Sequence, residues 1–173
     1  MARPAILLAS GRRFEFEAPT HDSFTVDDIA QGLAMLCRFA GQSCQFYSVA
    51  QHSVLVSRLV PPEDAYAGLM HDAAEAFLGD VSKPLKGLLP DYQRIEKSVE
   101  AAIFPILEVP TLMPASVKRA DLIALATEQH RLMPDRAGRS YAGGHDPLDI
   151  DISEMTWREA KDAFLNRYAE VRP

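Results

Sequence analysis

An imidazole next to a carboxylate is the feature of this sequence best suited to chemistry. His71 and Asp72 are adjacent in the segment from Gly68 to Asp80, whose apolar periodicity predicts a helix. The pair offers a divalent metal ion one nitrogen and one oxygen ligand. Because neighbouring side chains on a regular helix diverge by about 100°, both can bind one ion only at a bend or at a helix end.

Two more carboxylates follow this pair. Glu75 lies three residues after Asp72, on the same face of the predicted helix, and Asp80 comes directly after Gly79, where the helix should end. Ionisable groups gathered near one point of an apolar segment are costly to bury unless they are paired or bound to a metal. The segment is therefore a candidate functional site.

Two other predicted helices also place a polar side chain on an apolar face. His52 lies in a helix predicted from Ser48 to Val60, on one stripe with Leu55, Val56 and Leu59. Asp121 lies in a helix predicted to begin at Ser116, on one face with Val117, Ala124, Leu125 and Glu128. Two histidines and two aspartates that converge from three helices suit a divalent first-row metal, with open positions for water and substrate.

Each of these residues also has a purely structural interpretation. A single inward-facing histidine is more often satisfied by a backbone carbonyl than bound to a metal. Asp121 could pair with the neighbouring Lys118 or Arg119, and Glu75 could be a solvated helix carboxylate. The ordered convergence of all of them on three core-facing helices favours the metal site.

Composition limits the class of protein. A chain of 173 residues and 19.1 kDa, 47% hydrophobic and 24% charged, is typical of one soluble globular domain with its own core. The net charge of −6 argues against a nucleic-acid partner. The apolar run at residues 5–9 is too short for a signal peptide core or a membrane span, so we expect a cytoplasmic location and no membrane partner. Cys37 and Cys44 are expected to be reduced thiols.

The chain is predicted to be one all-α domain, residues 25–173, preceded by an N-terminal arm, residues 1–24. In the arm, Ile6-Leu7-Leu8 and Phe14-Glu15-Phe16 flank the turn signal Ser10-Gly11, which predicts a small β-hairpin or an extended segment. Further helices are predicted from Thr25 to Gly41, from about Glu63 to Leu78, from Tyr92 to about Leu107, from Ser116 to about Leu132 and from Ser153 to Tyr168. The stretches around 84–90 and 134–150 are predicted loops.

Several segments resemble the HD-domain metal-dependent phosphohydrolases, and most closely their small 5'-deoxynucleotidase branch. The resemblance covers roughly residues 25–133 and rests on Gln51-His52-Ser53, Leu69-Met70-His71-Asp72-Ala73-Ala74-Glu75, Gly79-Asp80 and Lys118-Arg119-Ala120-Asp121. The segments Cys37–Gln42, Phe46–His52 and Asp80–Lys86 strengthen it. It implies an HD-domain helical bundle in which the metal ligands are His52, His71, Asp72 and Asp121.

The resemblance also implies an activity. The protein would be an enzyme that removes the 5'-phosphate from (deoxy)nucleoside monophosphates, with a small-molecule nucleotide as its partner. Its cofactor would be one divalent transition metal (manganese, cobalt, iron, nickel or zinc) or magnesium. Glu75 and Asp80 match the catalytic acidic pair, with Glu75 placed to orient or deprotonate water. Asp80 would protonate the leaving sugar oxygen or share the role of base.

Three residues are expected to contact the substrate. Arg38 matches the family pattern, although a cation at a helix C-terminus can also serve the helix dipole. Lys86 follows Pro84, which stiffens the segment that presents it, although loop lysines are usually solvated. Tyr47 could stack on a base or belong to the core.

Other functions stay open at this point. An HD-type deoxynucleoside triphosphate triphosphohydrolase would carry the same motif residues. A non-catalytic helical scaffold could retain the metal site, but the presence of all four ligands and both acids favours a catalyst. The apolar and aromatic residues Met155, Trp157, Phe164 and Tyr168 suit either a homodimer interface or packing of the final helix on its own core.

Overall fold

The computed structural model describes residues 3–133 and 144–173. These residues are mostly helical, with one small two-stranded antiparallel sheet, so the predicted all-α class with an N-terminal β-hairpin is confirmed at this level. The HD-type bundle and the division at residue 24 stay predictions. In the described ranges, no helix combines the length and the apolar character needed to cross a membrane.

The elements follow one another in a simple order. The strands are β1 (Ala5–Leu7) and β2 (Arg13–Glu15), paired with Ile6 opposite Phe14. The helices of the described residues are α1 (Val26–Met35), α2 (Val49–Leu59), α3 (Ala65–Met70), α4 (Glu75–Leu78), α5 (Lys83–Lys86), α6 (Pro90–Ile106), α7 (Ala115–Leu132) and α8 (Trp157–Val171). Short 3-10 turns occupy His21–Ser23, Arg38–Gly41 and Pro62–Asp64.

The hairpin is part of the helical core. Phe14 of β2 is fully buried, and its ring stacks on that of Phe77 in α4 with 3.9 Å between the ring centroids. Phe24 packs against both rings. The hairpin therefore supports α4, the short helix that begins at Glu75.

A single carboxylate fixes the hairpin turn to the first helix. Thr25 caps α1 as predicted, in a reciprocal pair with Asp28. The Asp28 carboxylate also accepts hydrogen bonds from the backbone N–H of Ser10 (3.0 Å) and from its hydroxyl (2.9 Å). Burial would raise the pKa of Asp28, but the hydrogen bonds from Thr25 and Ser10 lower it below its ordinary value.

The first helix ends earlier than predicted, at Met35 and not at Gly41. Backbone groups after it pair with the segment before α2: the N–H of Arg38 donates to the carbonyl of Tyr47, and that of Val49 donates to Leu36. These bonds replace the helical ones. Arg38 therefore lies in a turn, outside any helix C-terminus, and the helix-dipole interpretation of this residue does not apply.

The helix predicted from Glu63 to Leu78 is interrupted at its centre. α3 ends at Met70, and α4 begins at Glu75. Between them the N–H of Ala73 donates to the carbonyl of Met70, and that of Glu75 to Asp72, each three residues back. This tighter turn lies at His71-Asp72, so the two adjacent side chains are on a bend of the kind that a shared ion requires.

Two predicted helix starts are wrong. α7 begins at Ala115 after Pro114, and the Ser116 hydroxyl donates to the Asp64 carboxylate instead of capping the helix. α8 begins at Trp157 and not near Ser153, because Thr156 and Glu159 form its capping box. The start of α7 differs because a distant residue binds Ser116, and the start of α8 differs because a capping box lies three residues after Ser153.

The polypeptide between α4 and α6 is more regular than predicted. Residues 83–86 form the one-turn helix α5 within the expected loop, and α6 starts at Pro90, whose fixed φ suits the first helical position. Pro105 lies one residue before the end of α6, close to the predicted end at about Leu107. Of the predicted loop 134–150, residues 134–143 lie outside the described residues, and residues 145–150 are irregular.

Packing places α8 on the core and α1 against α4. Phe164 of α8 is fully buried, and Met155 and Tyr168 pack around the same cluster. Core packing accounts for three of the four residues that also suited a homodimer, and the homodimer stays a prediction. A Cβ added to Gly32 of α1 would lie 2.7 Å from the carbonyl oxygen of Ala76, so the two backbones are in direct contact.

We expect Asp28→Asn to destabilise the protein by about 1–3 kcal/mol at pH 7, since hydrogen bonds to an ionised group are lost. The pKa of Asp28 is lowered in the folded state, so its contribution is present above an unfolded pKa of about 3.9 and is lost as the pH falls through the folded value. Urea unfolding at pH 7 and pH 3 measures both. The exposed neighbour Asp27, mutated to Asn, is the control. An equal loss at the two pH values would contradict the charge-dependent role.

Candidate functional site

His52 and His71 lie close together, and each ring is held through its Nδ1 atom, which leaves Nε2 for another partner. His52 is fully buried on α2, and its Nδ1 lies 2.6 Å from Oε1 of Glu128 on α7. His71 Nδ1 lies 2.8 Å from the carbonyl oxygen of Gly68. Because a carbonyl and an ionised carboxylate only accept hydrogen bonds, each Nδ1 carries the proton that it donates. Nε2 of each ring is left with a lone pair in the neutral form.

Nothing in the described residues satisfies these two Nε2 atoms. Both are buried and lack a hydrogen bond of good geometry. Asp72 Oδ2 lies 3.6 Å from His52 Nε2 and 3.2 Å from His71 Nε2, and Asp121 Oδ1 lies 3.2 Å from His52 Nε2. Buried nitrogens aimed at carboxylate oxygens without hydrogen bonds are the donors that a metal site requires.

Three of the predicted ligands form a group that can hold a metal ion. One ligand atom from each of His52, His71 and Asp72 lies within 4.8 Å of the other two. Asp121 borders the group from α7 through its contact with His52. Imidazole nitrogens with carboxylate oxygens fit first-row divalent cations, and the choice among manganese, cobalt, iron, nickel, zinc and magnesium stays a prediction.

The charges around this group are strongly coupled. Burial and the charge of Arg38 lower the pKa of His52, but Glu128 and Asp121 raise it to about 9. Burial raises the pKa of Asp72, yet His71 and His52 lower it below its ordinary range. In the metal-free protein, positive charge on His52 therefore offsets part of the negative charge of the carboxylates. A divalent cation would supply that positive charge in place of the protons.

The predicted acidic pair lies beside the metal-binding group. Burial, with the charges of Asp72 and Asp80, raises the pKa of Glu75 to about 9, and Glu75 Oε2 is buried with no hydrogen-bond partner in the described ranges. Burial and Asp72 also raise the pKa of Asp80. Asp80 follows Gly79, whose φ of 84° ends α4 in a conformation that favours glycine. Both acids are therefore within electrostatic range of Asp72.

Two of the expected substrate contacts are held by a buried carboxylate. Glu128 accepts hydrogen bonds at Oε2 from Arg38 Nε at 3.1 Å and at Oε1 from the Tyr47 hydroxyl at 3.0 Å. The Tyr47 side chain is buried beneath the site, in agreement with the core interpretation. The charge of Arg38 lowers the pKa of Asp80 and of Asp72, so its guanidinium is near the acidic groups. Contact of either residue with substrate stays a prediction.

The third expected substrate contact is engaged by another acid. Lys86 Nζ lies 2.5 Å from Glu96 Oε1 and stands over the ring of Tyr92. Its charge lowers the pKa of Glu75 and of Asp80, so Lys86 is within electrostatic range of the acidic pair. Its contact with substrate also stays a prediction.

Glu128 and Glu96 were not predicted to serve the site. Glu128 follows Asp121 by seven residues, two helical turns along the same apolar face, and this spacing was a signal that it points to the same region. The sequence carries no comparable signal for Glu96. Its pairing with Lys86 depends on how α5 turns into α6 at Pro90.

The chain is similar to two known proteins. It is 50% identical over 123 residues to the uncharacterized protein YfdR of Escherichia coli (strain K12), which is 71% of this chain and 69% of YfdR. It is 36% identical over 181 aligned residues to the uncharacterized protein RCAP_rcc00048 of Rhodobacter capsulatus, which is 93% of this chain and 92% of that protein. No family model matches the chain. Neither name states an activity.

We expect metal-stripped protein to bind one manganese ion, and His71→Asn to weaken that binding at least about 100-fold because a buried nitrogen ligand is lost. Isothermal titration calorimetry measures the affinity. Bound metal should also raise the melting temperature, by an amount that increases with the logarithm of the metal concentration above Kd.

The chain offers a matched control in a second His-Asp pair. His21 and Asp22 are both highly exposed and lie 3.7 Å apart, and His21→Asn should leave manganese affinity unchanged. Equal affinities of the His71→Asn variant and the wild type would remove His71 from the ligand set.

Proposed function

This chain belongs to the family of Escherichia coli YfdR, and we propose that it is a metal-dependent phosphohydrolase of the HD-domain type. Its proposed substrates are (deoxy)nucleoside monophosphates, from which it removes the 5'-phosphate. The observation that carries this proposal is a buried carboxylate with a raised pKa, Glu75, beside the metal-binding group of His52, His71 and Asp72. A metal site with only a structural role does not require a buried carboxylic acid without a partner beside its ligands.

The bound cation supplies Lewis acidity, which offsets phosphate charge and lowers the pKa of water. The protein has to manage two proton positions, because hydrolysis takes a proton from water and returns one to the 5'-oxygen of the departing nucleoside. Glu75 and Asp80 are the two acids with raised pKa values at the site. We assign the water proton to Glu75, which a nearby divalent charge would convert to the carboxylate form, and the proton for the leaving oxygen to Asp80.

Positive charge for the phosphate comes from Arg38 and Lys86. Both lower the pKa of Glu75 and of Asp80, so both positive charges act near the acidic pair, where we propose that the phosphate binds. A guanidinium is suited to phosphate oxygens because its planar N–H groups can bind two of them at once. Burial of the Arg38 side chain, which is 11% exposed, reduces competition from water for these donors.

The proposal is tested by release of inorganic phosphate from a panel of nucleoside and deoxynucleoside mono- and triphosphates. EDTA-stripped protein would be assayed alone and with each divalent metal added back. We expect release from monophosphates only with metal. Glu75→Gln should reduce kcat at least about 100-fold, since a group that moves a proton is lost, while manganese affinity stays within about threefold.

Glu63→Gln is the matched control, because Glu63 is an exposed glutamate on the turn before α3 and is expected to keep full activity. Release of triphosphate from deoxynucleoside triphosphates would favour the triphosphohydrolase alternative. If no nucleotide is hydrolysed by protein that binds manganese, the hydrolase proposal fails and the scaffold alternative gains support.

A further inference from the structure

One buried carboxylate contacts both halves of the site. The Glu128 side chain has 0% exposure. Its Oε1 accepts hydrogen bonds from His52 Nδ1 at 2.6 Å and from the Tyr47 hydroxyl at 3.0 Å. Its Oε2 lies 3.1 Å from Arg38 Nε and 3.0 Å from Arg38 Nη2. Two of these three partners, His52 and Arg38, are therefore residues of the candidate site.

On the side of the metal ligand, Glu128 determines the state of the imidazole. The positive guanidinium of Arg38 lies 3.0 Å from Oε2 of Glu128 and favours the carboxylate form of this side chain. Because an ionised carboxylate cannot donate, His52 must carry its proton on Nδ1, and Nε2 is available to a cation. Hydrogen bonds of this kind orient a histidine ligand and increase its basicity.

On the side of the phosphate, Glu128 determines the orientation of the guanidinium. Nε and Nη2 of Arg38 both lie near Oε2 of Glu128, so this edge of the guanidinium is occupied by the carboxylate. The remaining N–H groups are free of Glu128 and available to an anion. Without the carboxylate, a long arginine side chain would have more rotamers to lose when it binds phosphate.

Stability alone gives little reason to keep this carboxylate. The cost of desolvating a buried ion pair largely cancels its attraction, and a well-packed apolar pair of similar volume is often as stable. A carboxylate that touches one metal ligand and one cation, through different oxygens, has a second use: it keeps both in one fixed arrangement.

We propose that Glu128 is a positioning residue that couples metal binding at His52 to phosphate binding at Arg38. A cation bound at Nε2 of His52 would make the Nδ1 proton more acidic and strengthen its hydrogen bond to Oε1 of Glu128. The stronger bond would fix the carboxylate in the orientation in which Oε2 accepts hydrogen bonds from Arg38. The coupling rests on the proposed function only in that the anion at Arg38 is taken to be the phosphate of the substrate. By linkage, phosphate should favour metal binding as metal favours phosphate binding.

The test uses two ligands that need no catalysis, manganese and inorganic phosphate. Glu128→Gln keeps the size of the side chain, but its amide group cannot accept from both His52 and Arg38. Manganese affinity, measured by calorimetry, should fall about 10- to 100-fold. Phosphate affinity of the manganese-saturated variant, measured by phosphorus NMR relaxation, should fall at least about 10-fold, the effect expected when a charged hydrogen bond is lost.

Thr127→Val is the matched control on the same helix. Thr127 is as buried as Glu128, but its hydroxyl donates to the carbonyl of Ile123 and accepts from the N–H of Leu148, and neither partner is a residue of the candidate site. Its substitution should lower the melting temperature and leave both affinities within about twofold. Loss of only one affinity in Glu128→Gln, or of neither, overturns the coupling.

Arg38→Lys keeps the proposal testable if Glu128→Gln does not fold, since a lysine still neutralises the buried carboxylate. It loses the planar fork, so phosphate affinity should fall, and manganese affinity should also fall about threefold or more although Arg38 is not a metal ligand. Unchanged manganese affinity in this variant overturns the coupling. If wild-type protein binds both ligands but hydrolyses no nucleotide, the proposed function fails while the coupling remains measurable.

Discussion

The balance of charge inside a low-dielectric interior is the constraint on which the rest of the site depends. Glu128 and His52 are fully buried, and Asp72, Glu75 and Arg38 lie around them. Each of these charges would be costly to bury without a partner. Each is stabilised by its neighbours: Arg38 by Glu128, Glu128 by His52, and His52 by the aspartates. Glu75 is the exception, and in the metal-free protein the raised pKa keeps it protonated instead of paired. The acid to which the proposed function assigns the water proton is therefore the one that has no charged partner of opposite sign among the residues that the structure describes.

Local signals in the sequence were sufficient wherever a helix start depends on its own first turn. Thr25 with Asp28 and Ser48 with Gln51 form capping boxes within four residues, and helices were predicted from Thr25 and from Ser48. Predictions failed where a distant segment competes for the same groups. The backbone after α1 pairs with residues 47–49, and Ser116 donates to Asp64, 52 positions earlier. No periodicity within a short window contains that information.

The same division applies to the site. Helical spacing predicted that His52, His71 and Asp121 approach one another, and the structure places His52 beside His71, Asp72 and Asp121, although His71 lies on a bend and not within a helix. Helical spacing did not indicate which group accepts the hydrogen bond from Nδ1 of each histidine. The Nδ1 partners are a carbonyl three residues back for His71 and a carboxylate on another helix for His52. Those partners set the tautomers, so the chemistry of the ligands depends on contacts that only the folded chain defines.

The close approach of α1 to α4 has a consequence for how the protein tolerates change. Gly32 leaves no room for a Cβ against the Ala76 carbonyl, and Ala76 immediately follows Glu75. Any larger residue at position 32 has to displace the backbone that carries the candidate base, by a fraction of an ångström or more. Catalytic geometry is sensitive to shifts of that size. Position 32 should therefore behave in a mutational survey like an active-site position, with variants that fold but turn over slowly, although its own side chain is a hydrogen atom.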